Sequence, residues 1–167
     1  MGQISKYIFI VLASMFSLTA CEKDGANNIR EDKNLILELN NKATDTIKID
    51  SHDYFLDAYL WRDFMPISPP NGKSLASINW LICSDSTSIP ENIIMTQQYV
   101  ILNDSIWIAD YENGSSQTTS YKIEKISHDG PKWGPGTYVD IISKITNIKT
   151  NLNYYLKLDR VYIGRTD

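Results

Sequence analysis

Residues able to do acid–base, nucleophilic or metal chemistry are few in this 167-residue chain, which holds two histidines and two cysteines. The imidazoles are His52 and His128, and the thiols are Cys21 and Cys83. Ser51-His52-Asp53 and Ser127-His128-Asp129 each have the composition of a hydrolytic triad. Neighbouring side chains on an extended backbone point to opposite faces, so a serine there cannot hand its proton to the adjacent histidine. Both tripeptides therefore read as polar strand edges and turns, where Ser and Asp are favoured. A zinc centre draws three or four ligands mainly from Cys and His. His52, His128 and Cys83 have no close ligand spacing, so only the fold could bring them together, and neither a metal nor a cofactor is expected. Asp50, Asp53 and Asp57 offer oxygens of the kind calcium takes, but their order lacks the glycine and closing acid of an EF-hand loop. The GxSxG, HExxH, Walker, CxxC and GxGxxG patterns are all missing. Twenty Asp and Glu residues make a chance pair of carboxylates easy, so a small glycosidase-like hydrolase stands only as an alternative. The expectation is that the chain is not an enzyme.

Binding chemistry is better represented. Residues 129–136, Asp-Gly-Pro-Lys-Trp-Gly-Pro-Gly, hold two prolines and three glycines around Lys132 and Trp133. A constrained loop presenting an indole offers a flat face to apolar sugar C–H groups and an N–H donor. Trp61-Arg62-Asp63-Phe64, with Tyr59, forms a second aromatic cluster beside the 66–72 loop. The candidate ligand-binding residues are thus Trp133, Lys132, Asp129, Trp61 and Arg62. The competing reading of Trp133 is that it folds back and plugs the open end of the domain, because large aromatics are mostly buried. A groove requires the two loops to share one end.

These side chains must be positioned by strands. Ala76, Ile78, Trp80 and Ile82 alternate with Ser77, Asn79 and Leu81, and Tyr154, Leu156 and Leu158 alternate with Lys157 and Asp159. Period-two alternation marks half-buried strands. Residues 137–148 are rich in β-branched types, and residues 53–64 are aromatic. Further strands are expected at 35–39, 46–50, 97–102, 105–109 and 119–127. Asn71-Gly72, Asn103-Asp104, Asn113-Gly114 and residues 150–153 carry turn chemistry. A short turn of helix is expected near 90–94, and no convincing helical stripe appears elsewhere in the mature chain. Eight or nine strands over residues 34–167 suit an all-β antiparallel sandwich or small barrel. Asn71-Gly72-Lys73-Ser74-Leu75-Ala76-Ser77-Ile78 resembles the turn-and-strand opening of immunoglobulin-like or transthyretin-like modules, which implies a β-sandwich. Cys83 reads as a buried free thiol.

The N-terminus carries a different message. Lys6 and the free amine precede a mostly apolar run over residues 7–20. A bilayer-spanning helix needs about 20 apolar residues, so this run has the dimensions of a signal-peptide core. Leu18-Thr19-Ala20-Cys21 resembles the lipobox of bacterial lipoproteins, and that resemblance implies cleavage before Cys21 and acylation of its thiol and amine. Two or three acyl chains on one residue anchor far more firmly than one. Glu22-Lys23-Asp24 resembles the Lys/acidic export signal of surface lipoproteins in some Gram-negative anaerobes. The expected organisation is a signal peptide at 1–20, a flexible tether at 21–33 and a β-sandwich at 34–167.

Charge argues against a nucleic-acid partner. The net charge is −4, removal of Lys6 with the signal peptide deepens it, and no run of Lys and Arg supplies a phosphate-binding face. The sequence thus points to an outer-membrane, surface-displayed lipoprotein held to the membrane by its lipid. It would be a non-catalytic binding or accessory module for glycan or an envelope protein, with a structural subunit of an outer-membrane assembly as the alternative.

Overall fold

A computed structural model describes residues 28–111 and 119–167. The signal segment, Cys21, the Glu22-Lys23-Asp24 tripeptide and the Asn113-Gly114 turn lie outside those residues. The described elements are β1 (Asn28–Glu31), α1 (Lys33–Lys42), β2 (Thr46–Ile49), β3 (His52–Asp63), β4 (Leu75–Cys83), β5 (Ile93–Leu102), β6 (Ser105–Asp110), β7 (Lys122–Gly130), β8 (Tyr138–Asn147) and β9 (Leu152–Thr166). The expected all-β class holds, and from residue 46 onward each expected strand is found. The turn expected near 90–94 is a single one, closed by the Ile93 amide donating to the Pro90 carbonyl at 2.9 Å.

Two departures lie at the start of the domain. Residues 35–39, expected as a strand, belong to α1. Asp32 caps this helix by accepting from the Leu35 amide at 3.0 Å, and Glu38 pairs with Lys42 one turn on at 2.6 Å. Leu35, Ile36, Leu39 and Ala43 pack together onto the sheet, a helical spacing that is visible only over the full ten residues. The expected tether also stops short of residue 33: Asn28–Glu31 pair antiparallel with β6, from Asn28↔Ile108 to Glu31↔Ser105.

The strands form one continuous curled sheet in the order β1-β6-β5-β8-β9-β3-β4-β7, with β2 paired to β3. It is a mixed sheet rather than a purely antiparallel one, because β3 and β9 run parallel from Leu60↔Ile163 to Asp63↔Thr166. The long strand β9 is the seam. Leu152–Tyr162 pair with β8, and Ile163–Thr166 pair with β3. Within the β8–β9 ladder, where the register shifts between Val139 and Ile141, Arg160 takes a left-handed φ of 56°, and its amide donates to the Asp140 carboxylate at 2.9 Å. This bulge bends the strand and lets one sheet wrap round its own core.

The curl brings the two flanks of the sheet together. A Cβ added to Gly130 of β7 would lie 2.7 Å from the ring of Trp107 on β6, so the glycine is what admits the fully buried indole. Inward residues Leu56, Leu60, Leu81, Val100, Ile141 and Ile145 build the central core. The outer surface is divided. Helix α1 covers one part, burying Leu39 against Tyr99, Ile101, Ile106 and Ile142. The outer side of β3, the end of β9 and the start of β8 hold exposed tyrosines instead.

Candidate functional site

The two loops singled out in the sequence do meet, and Arg62 is the reason. Leu60 and Arg62 share the inward side of β3. The Arg62 side chain is buried, and its Nε donates to the Lys73 carbonyl at 2.9 Å. Its Nη1 donates to the Lys132 and Gly134 carbonyls at 3.2 and 2.8 Å, and its Nη2 donates to the Asn71 carbonyl. The guanidinium fork thus laces the 71–73 turn to the 132–134 loop. Burial pushes its pKa below the ordinary arginine value. Its face lies over Phe64, whose ring is also approached by Arg165 at 4.0 Å. An arginine engaged in this way is a structural clamp, not a ligand-binding side chain.

The other predicted residues separate. Trp133 is half-buried and packs against the central core, as the plugging reading required. Lys132 is exposed on the same loop, and Asp129 is exposed near the end of β7 with a left-handed φ of 62°. Trp61 lies on the opposite, outer side of β3, stacked on Tyr59 with ring centroids 5.6 Å apart and planes 15° from parallel. Trp61 and Trp133 therefore do not line one groove.

Around Trp61 the outer surface carries a run of rings. Tyr59 and Trp61 are two residues apart on β3 and share its outer side. The Tyr59 hydroxyl extends over Gly164 of β9, where an added Cβ would come within 3.1 Å of it. Two residues before Gly164, Tyr162 projects outward and meets Tyr138, its partner on β8, with centroids 5.4 Å apart. Arg160 lies over the Tyr138 ring at 5.2 Å. Tyr59, Tyr138 and Tyr162 are 45%, 51% and 51% exposed. Next to them on β4, Trp80 is already engaged, donating to Glu124 at 2.7 Å with the Lys122 ammonium 4.2 Å from its ring. Tyr59 was visible in the sequence as a neighbour of Trp61. Tyr138 and Tyr162 were not, because only the β8–β9 register joins them.

A second cluster lies at the other end of β3. The register Tyr54↔Cys83 places His52, two residues before Tyr54, on the same side as Cys83 and Asp85. His52 Nδ1 and an Asp85 oxygen are 2.7 Å apart, and the Cys83 thiol donates to the other Asp85 oxygen at 3.1 Å. The Asp85 carboxyl is held well below the usual carboxylate range, first by the Cys83 thiol, then by the Thr87 amide and His52. Burial, then Asp85, pushes the Cys83 thiol up. An activated cysteine needs a lowered pKa and a base on its sulfur. Here the thiol is bonded to the carboxylate rather than to the imidazole, so the trio is no Cys-His nucleophile. The true partner of His52 is 33 residues away, not the adjacent Ser51 or Asp53, and Asp85 escaped sequence reasoning. Asp85 lies in the turn just after β4, and only the β3–β4 register brings His52 to it. His128 lies exposed on β7, beside the Leu75–Ser77 end of β4 and so at the far end of that strand from Cys83. No protein-family model, curated protein or solved structure matches the chain.

Proposed function

We propose that the chain is a lipid-anchored, non-catalytic glycan-binding module of the bacterial outer membrane, held through acylated Cys21 and displayed at the cell surface. The observation that supports the binding role is the run Trp61–Tyr59–Tyr162–Tyr138 on the helix-free outer surface. Exposed rings held by strands offer flat π-faces to sugar C–H groups, and their hydroxyls give hydrogen bonds at the rim. Rigid strands also present these rings with little ordering cost on binding. Arg160, over the Tyr138 ring, adds a cationic donor at the margin without making the surface basic overall. The lipobox Leu18-Thr19-Ala20-Cys21 supports the anchor, and Glu22-Lys23-Asp24 supports display. The finer likeness to immunoglobulin-like or transthyretin-like sandwiches rests on residues 71–78 alone, and the binding role does not depend on it.

Two measurements test this reading. Cys21→Ser should move the protein from the detergent phase to the aqueous phase, with loss of acyl mass from its N-terminal peptide. An unmodified N-terminus on protein from its native cell removes the anchor. Soluble Cys21→Ser protein should bind polysaccharide in affinity electrophoresis and glycan arrays, and Tyr59→Ala and Tyr162→Ala should weaken that binding. Capture of an envelope protein with no glycan bound would assign the surface to protein recognition instead.

A further inference from the structure

We propose that His52, Cys83 and Asp85 form a binding site for a divalent cation of the zinc class. The three residues supply one imidazole nitrogen, one sulfur and one carboxylate oxygen, all within 4.8 Å of one another. Typical zinc bonds of about 2.3 Å to sulfur and about 2.0–2.2 Å to nitrogen and oxygen put tetrahedral ligands about 3.4–3.6 Å apart. The separations of 2.7 and 3.1 Å and the 4.8 Å limit bracket that range, so side-chain rotation, with no backbone movement, can admit an ion.

The ligands sit on a rigid frame. His52 opens β3 directly after the β2–β3 turn, where Asp50 and Ser51 both take left-handed φ values of 49° and 73°. Cys83 closes β4, and the Ser84 amide donates to the Asp53 carbonyl at 2.9 Å, tying the two strand ends together. Asp85 is oriented by the Thr87 amide at 3.0 Å, the kind of outer contact that fixes a ligating carboxylate. Tyr54, whose phenol burial and then Cys83 push up to about 12, stays neutral beside the sulfur.

The donor set selects the ion. A thiolate with an imidazole favours zinc and cobalt over calcium and magnesium, which want oxygen alone. Binding exchanges protons for metal in a balanced way: the thiol releases its proton to solvent as the S–metal bond forms, and His52 ligates through a ring nitrogen that carries no proton. Three protein ligands leave one position for water. Access comes from the outside, since His52 and Asp85 are 33% and 50% exposed while Cys83 is buried. The site lies nine residues from Trp61 along β3, about 30 Å at strand rise, and on the other side of the sheet. It is independent of the glycan surface.

The test is anaerobic titration of full-length Cys21→Ser protein, in which Cys83 is the sole thiol, with cobalt(II). The expected result is a thiolate-to-cobalt charge-transfer band with tetrahedral d–d bands, saturating at one ion per chain and bleached by zinc. The band should vanish in Cys83→Ser. In His52→Ala, whose exposed side chain can be lost with little risk to folding, affinity should fall at least about tenfold. No band on folded protein at millimolar cobalt, or a band that survives Cys83→Ser or is unmoved by His52→Ala, overturns the site.

Discussion

The outer surface of this single sheet is treated in two ways: one half is covered by a helix and the other is left open. Under α1 the outward residues are mostly aliphatic, with Ile101, Ile106 and Ile142 joined by Tyr99 and sealed by Leu39. Beyond the helix the exposed outward rings are Tyr59, Tyr138 and Tyr162, with Trp61 half-buried beside Tyr59 and Phe55 exposed further along β3. Aliphatic groups gain only by being covered, at about 1.5–3 kcal/mol for each fully buried side chain. Tyrosine tolerates both states, since its hydroxyl stays hydrated while its ring remains available. The half that must be covered has its cover within the chain. The other half is composed to persist uncovered, which is what the proposed binding role requires.

The largest effect is expected from breaking the covered half. Leu39→Asp places a carboxylate on Ile101, Ile106 and Ile142, and should cost at least about 4 kcal/mol in denaturant unfolding. It should also release α1, read as loss of amide-exchange protection over residues 33–42. Retained protection with unchanged stability would mean that the helix is not the seal described above.

Arg62→Ala comes next. It removes the clamp and frees the carbonyls of Asn71, Lys73, Lys132 and Gly134, at a cost of about 2–4 kcal/mol. Arg62→Lys should recover only part of that, because an ammonium cannot reproduce the fork. Glycan affinity of the folded Arg62→Lys protein should equal that of the parent. A specific loss of affinity with stability intact would return Arg62 to the ligand surface.

The history of Arg62 shows how far the sequence could be read. Alternation gave Ala76 through Ile82 their strand, and β-branched content gave residues 138–147 theirs, because local backbone preference and half-burial leave a period-two imprint. The same alternation places Trp61 and Arg62 on opposite sides of β3. Which side faces the core was not legible, since aromatic and arginine side chains can serve either. Helix α1 was missed because five apolar-rich residues fit a strand as well as one turn of helix. The parallel β3–β9 pairing, which carries Gly164 beneath Tyr59, joins residues about a hundred positions apart and leaves no local trace. The His52–Asp85–Cys83 cluster was hidden for the same reason: its geometry is a product of register, not of spacing along the chain.

Breaking the uncovered half should separate binding from stability. Tyr59→Ala loses one stacked partner of Trp61 and should cost only about 0.5–1.5 kcal/mol of stability. Polysaccharide affinity should fall about tenfold, equivalent to roughly 1.4 kcal/mol. Tyr162→Ala, which leaves Tyr138 without its ring partner, should behave alike. Equal affinity in both variants, measured by affinity electrophoresis, would remove these rings from recognition.

The smallest expected effect sharpens the contrast most. Ile67 in the 66–72 loop is 97% exposed, more so than any of the tyrosines, yet it belongs to no ring array and no strand. If exposed apolar surface alone made the binding site, Ile67→Ser would weaken binding as Tyr59→Ala does. If the site is the strand-mounted run of rings, Ile67→Ser should change stability by less than about 0.5 kcal/mol and leave affinity where it was. A several-fold loss of affinity in Ile67→Ser would move recognition to the loop end clamped by Arg62, and with it Lys132 and Trp133. The two halves of the outer surface would then differ in shielding only, since the loop tip and not the tyrosine array would hold the ligand.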